Sequence, residues 1–151
     1  MDLILDTCLS LKSLKGLENC TIHGNINASY CAKLTNLIGL PKRINGNLRL
    51  YCCDNLVSFK GAENTVLIGA LDVRNCLSLQ SFEYSPRGYY YNLYADDCES
   101  LKTLKGLNGK ITNEFSINSC NKLVDLTGAP KTVGQFSCKN CNSLKSLKGG
   151  P

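Results

Sequence analysis

The chain has 151 residues, 43% of them hydrophobic, and its 17 Lys and Arg outweigh 12 Asp and Glu for a formal charge of +5. No run is long and apolar enough to span a membrane, and the start, MDLILDTCLSLKSL, lacks the basic segment, apolar run and cleavage site of a secretory signal. These features predict one soluble, cytoplasmic domain over residues 1–151.

Along the chain one unit recurs seven times. Coil 1 carries Leu3, Leu5, Cys8, Leu11, Leu14 and Gly16. Coil 2 repeats the series as Ile26, Ala28, Cys31, Leu34, Leu37 and Gly39. In coil 3 the same places hold Leu48, Leu50, Cys53, Leu56, Phe59 and Gly61. Coil 4 has Leu71, Val73, Cys76, Leu79 and Phe82, with Tyr84 in place of the glycine. Coils 5, 6 and 7 centre on Cys98, Cys120 and Cys141. Successive cysteines therefore lie 21–23 residues apart. A period this short predicts a solenoid, in which each coil touches only its neighbours and adds side chains to a continuous apolar column.

The apolar-x-apolar segment before each cysteine has period two and predicts a short strand. Stacked coils would pair these strands into a parallel sheet. The return segments carry Gly39-Leu40-Pro41 and Gly128-Ala129-Pro130 and have no helical spacing. They predict extended, turn or 3-10 backbone and a gently curved, mainly β solenoid. Seven of the ten cysteines share one structural position, so they stack as a ladder. Parallel side chains about 4.8 Å apart hold the Cβ atoms beyond ordinary disulfide range, which predicts reduced, buried thiols. The Cys138-x-x-Cys141 spacing follows from the repeat and has no second pair, so neither a metal site nor a cofactor is expected.

The strand-x-x-Cys-x-x-Leu unit resembles the cysteine-containing class of leucine-rich repeats over essentially the whole chain. The run from Cys120 to Val133 is similar to BspA-type bacterial repeats, although its Gly-Ala-Pro segment is one residue longer. The Ser-Leu-Lys-Gly and Gly-Ala-Pro-Lys phrasing is similar to short arrays in bacteriophage and giant-virus proteins. The resemblance implies a right-handed solenoid that binds proteins and carries no catalytic residues. It also implies a virus-encoded inhibitor of a host or defence factor, acting in the host cytoplasm.

The outward positions of the sheet change from coil to coil, as a recognition face would. One column reads Asp2, Asn25, Asn47, Ala70, Asn92, Glu114, Gln135; a second includes Arg49, Asp72 and Tyr94; a third includes Tyr51, Arg74 and Asp96. The stretch Tyr84–Tyr94 holds five of the seven tyrosines. Tyr89 aligns with Ile22 and Ile44 and is expected in the core, leaving Tyr84, Tyr90, Tyr91 and Tyr94 wholly or partly exposed. Tyr and Arg are favoured hot-spot types. The expected partner site is therefore Arg49, Tyr51, Asp72, Arg74, Tyr94 and Asp96, with Tyr90 and Tyr91 beside them.

Two other readings compete. The lysines of Leu-Lys-x-Leu-Lys-Gly, such as Lys12, Lys15, Lys102 and Lys105, could meet nucleic acid or another polyanion. Their stripe is interrupted and has no interleaved aromatics, so nucleic acid is disfavoured. An adhesin of BspA type is disfavoured by the missing signal peptide. An enzyme is not expected: His23 is the only histidine, and adjacent Asp96 and Asp97 would point to opposite sides of a strand. Neither end leaves room for a cap, which predicts a homodimer through one solenoid end.

Overall fold

The ladder of inner residues sets the architecture of the computed structural model, which describes residues 1–151. Leu3, Ile26, Leu48, Leu71, Leu93, Phe115 and Phe136 lie side by side across neighbouring strands, one from each coil. The five inner ones, Ile26, Leu48, Leu71, Leu93 and Phe115, bury their side chains against the coil on either side. The strands are β1 Leu3–Ile4, β2 Ile26–Asn27, β3 Arg43–Ile44, β4 Leu48–Arg49, β5 Val66–Asp72, β6 Arg87–Tyr94, β7 Gly109–Ser116 and β8 Gln135–Ser137. All pair in parallel, in the order β1-β2-β4-β5-β6-β7-β8, with β3 beside the first half of β5. The chain is thus a parallel β-solenoid with a repeat near 22 residues, and its return segments are turns, bends and extended backbone with no helix.

The core is one column of 34 buried apolar side chains. Phe59 stacks on Phe82 with centroids 5.5 Å apart, Phe82 meets Phe115 edge-on, and Phe115 tilts against Phe136. In the end coils the equivalent residues Leu3, Leu5, Leu11, Phe136 and Leu144 are only partly buried, because each has a neighbouring coil on one side alone.

Each coil turns at two fixed places. The residue before every ladder cysteine is left-handed: Thr7, Tyr30, Cys52, Asn75, Asp97, Ser119 and Asn140 all have φ of 56–59°. The second corner falls on the repeat's glycine. A Cβ on Gly39 would stand 2.2 Å from the Leu14 carbonyl oxygen of the coil below, so glycine is needed there for space as well as for its φ of 106°. Tyr84 takes that corner in coil 4 with φ of 66°.

Strand length departs from expectation. In coils 4–6 the strands run seven or eight residues and continue backward into what was read as the return segment. Val66-Leu67-Ile68 and Tyr89-Tyr90-Tyr91 supply β-branched and aromatic residues that suit a pleated surface.

Within β6 the expected roles of two tyrosines are exchanged. Tyr89 is 62% exposed and Tyr90 is fully buried. The cause is register: Gly69 pairs with Tyr90 and Leu71 with Leu93, so β6 holds one more residue than β5 over that interval. A one-residue slip reverses which side chains face inward. Tyr90 takes the inner place, its hydroxyl donates to the Pro86 carbonyl, and its ring fills the space beside Gly109, where a Cβ would lie 2.3 Å from the ring. Tyr90 is therefore core and has no surface to offer a partner.

Candidate functional site

The second half of strands β4–β7 forms the polar sheet face, and its central feature is a guanidinium held between two rings. Strand pairing sets Arg49, Asp72 and Tyr94 in one row across β4, β5 and β6. Two residues past Asp72, the chain brings Arg74 back over the same spot. Its Nε donates to Asp72 Oδ1 at 2.9 Å and its Nη2 to Asp72 Oδ2 at 2.6 Å. The guanidinium carbon stands 5.6 Å from the Tyr51 ring centre and 5.3 Å from that of Tyr94. Tyr30 packs edge-on against Tyr51 at 5.2 Å, and the Tyr94 hydroxyl donates to Glu114 Oε2 at 3.1 Å. A connected patch of Tyr30, Tyr51, Arg74, Tyr94 and Glu114 thus crosses five coils.

Its electrostatics follow from those contacts. The bond to Asp72 raises the Arg74 pKa further, so the guanidinium stays charged. Burial, then the Glu114 carboxylate, raises the Tyr94 hydroxyl. Asp72 has a side chain only 12% exposed, whereas that of Arg74 is 43% exposed. The acid therefore serves as an anchor while the base and the two rings meet solvent.

The structure brings Tyr51, Asp72, Arg74 and Tyr94 together, with Arg49 exposed at the edge of the group. Asp96 is committed to the frame: its Oδ1 accepts from the Asn118 backbone N–H at 2.7 Å and from the Ser116 hydroxyl. Tyr91 is exposed on the earlier part of β6, away from the Arg74 stack in sequence register. The buried Tyr90 is excluded.

One column read as free is structural. Asp2, Asn25 and Asn47 each accept, through a side-chain oxygen, the backbone N–H of the residue above them at 2.7–2.8 Å. Asn92 does the same for Glu114. The recurrence of Asp and Asn at this place was the available signal.

Two shallow hollows lie off this face. One, of about 260 Å³, is lined by Glu18, Asn19, Cys20, Thr21, Lys42 and Arg43. The other, of about 210 Å³, is lined by residues of the Lys110–Thr112 and Thr132–Gly134 segments. All ten cysteines are free thiols. No group of three or more His, Cys, Asp or Glu side chains converges as a metal site would require. No helix is long and apolar enough to cross a membrane.

No family model, curated protein or solved structure matches this chain.

Proposed function

We propose that this chain is a non-catalytic protein-binding module whose partner seats on the Tyr51–Arg74–Tyr94 stack, with Arg49 and Glu114 at its margin. The observation that carries the reading is the prearranged Arg74. Its guanidinium is already oriented by Asp72 and two rings, so little side-chain freedom is lost when a partner closes over it. Half-exposed Arg and Tyr side chains on a rigid sheet are the residue types that dominate binding energy at protein interfaces. The similarity to short viral and phage arrays makes a host or defence protein the partner class to screen.

The test is capture from lysate on immobilised chain, after nuclease treatment and at high salt, followed by affinity measurement on each captured protein. Arg74→Ala and Tyr94→Ala should each weaken a specific partner by more than about 1 kcal/mol. Lys12→Ala with Lys15→Ala should leave it unchanged. Equal affinity for the folded Arg74→Ala/Tyr94→Ala double variant refutes this face as the site.

A further inference from the structure

The backward extension of β5, β6 and β7 creates a second surface distinct from the Arg74 face. It consists of β3 with the first halves of the three long strands. Outward side chains here fall in registered rows. Arg43, Val66 and Arg87 form the first row, and Ile68, Tyr89 and Lys110 the second. Tyr91 follows on β6, on the same side as Tyr89, because the buried Tyr90 separates them. Arg43, Arg87 and Lys110 are exposed, and Tyr89 and Tyr91 are each 62% exposed.

Charge is segregated along these strands. No carboxylate stands on β3, on 66–69 of β5, on 87–91 of β6 or on 109–112 of β7. The acids of the same strands, Asp72 and Glu114, lie on the other halves. Glu63, which precedes β5, turns its carboxylate to the Gly61 backbone N–H. Lys42 and Lys131 add exposed positive charge in the neighbouring coils. Neither Tyr89 nor Tyr91 packs against another aromatic ring, whereas Tyr30 and Tyr51 meet edge-on. The two are roughly 7 Å apart along the strand.

We infer that this strip binds single-stranded nucleic acid, with Tyr89 and Tyr91 stacking on bases and Arg43, Arg87 and Lys110 meeting phosphates. Cations alone would suit any polyanion. The exposed, unstacked rings set among them favour a polyanion that carries its own flat aromatic groups, and base stacking on such platforms tolerates any sequence. Paired bases in a duplex hide those faces. The lysines of the Leu-Lys-x-Leu-Lys-Gly corners take no part, so the gaps in that stripe do not bear on this surface.

The test is fluorescence anisotropy with fluorescein-labelled dT15 and rU15, a 15-base-pair duplex and labelled heparin, at about 50 and 200 mM salt. The wild-type chain should bind both single strands more tightly than the duplex. Tyr89→Ala/Tyr91→Ala should weaken single-strand binding at least about tenfold while leaving heparin binding nearly unchanged. Arg87→Ala/Lys110→Ala should flatten the salt dependence for single strands. Arg74→Ala/Tyr94→Ala should bind them like wild type. All substituted side chains are at least partly exposed, and circular dichroism with a thermal melt verifies each variant's fold. No binding by wild type at 50 mM salt overturns the inference, as does single-strand binding that the tyrosine pair does not change. A loss seen only with the Arg74/Tyr94 variant overturns it too.

Discussion

The ladder cysteine does more than fill a small apolar place. From Cys31 onward, each thiol donates to a backbone carbonyl of the coil below: Cys31 to Leu5, Cys53 to Ala28, Cys76 to Leu50, Cys98 to Val73, Cys120 to Ala95 and Cys141 to Ile117, at 3.1–3.2 Å. That carbonyl also closes the turn of its own coil in several cases, as Leu50 does for the Cys53 N–H. The thiol therefore satisfies an otherwise spare lone pair between coils. Serine has a shorter Cβ–heteroatom bond and a stronger need for a partner. Cys120→Ser should destabilise by about 1–3 kcal/mol in urea unfolding. An unchanged midpoint would show that the ladder bonds are incidental.

Burial also fixes the protonation of these thiols. It pushes Cys53 and Cys98 up to about 12 from an ordinary 9.0, and it raises Cys76 and Cys120 as well. In the unfolded chain the same groups lose their protons near the ordinary value. Above it the unfolded state binds fewer protons than the folded state, so stability falls with rising pH. It should be complete below about pH 9 and drain away as pH rises toward 12. Melting temperature against pH checks this, and Cys53→Ala/Cys98→Ala should shallow the decline. At neutral pH, alkylation should reach the exposed Cys8 and Cys20 first and the buried ladder thiols only after denaturation. The ladder itself was legible, because one residue type recurs at one spacing. The left-handed corner beside it was not. Thr7, Tyr30, Cys52, Asn75, Asp97, Ser119 and Asn140 share a backbone shape and no common side chain.

At the scale of one strand, β6 shows where periodicity stops being a guide. Alignment on the cysteines put Tyr89 opposite Ile44, but the extra residue in β6 moved Tyr90 inward. Counting from Cys98 cannot reveal a bulge, since the coil keeps its length while the pairing shifts. The informative residue was Gly109, which lies beside the inner place that Tyr90 fills and whose missing side chain makes room for the ring. Gly109→Ala should therefore push the Tyr90 ring from its seat and destabilise by about 1–3 kcal/mol. Tyr90→Leu should lose less stability in the Gly109→Ala background than in wild type, because the smaller side chain tolerates the added methyl. A double-mutant cycle that gives purely additive changes would separate the two residues. The Arg74 patch was more legible: Tyr51, Arg74, Asp72 and Tyr94 were marked by their columns alone. What the columns could not show was that Asp72 and Asp96 face neighbouring donors, so that only the bases and rings remain for a partner.

Across the whole molecule, stability should follow position along the stack. A solenoid sums the terms within coils and between neighbours, with no central core to make all coils equal. Coils 3–5 have their ladder cysteine, following leucine and Phe or Leu fully buried, as with Cys53, Leu56 and Phe59. Coil 1 leaves its ladder cysteine, Cys8, exposed, and coil 7 leaves Leu147 at 71% exposure. An open flank forfeits contacts on one side, so end coils should open with less free energy than inner ones. Leu56→Ala removes a side chain enclosed by two coils and should cost about 2–5 kcal/mol. Leu147→Ala should stay within about 0.5 kcal/mol. Hydrogen exchange gives the pattern directly: amides of β5, β6 and β7 should be the slowest, and those of β1 and β8 the fastest among the strands. Uniform protection from coil 1 to coil 7 would mean that the stack opens as one unit, and would count against nearest-neighbour additivity as the source of its stability.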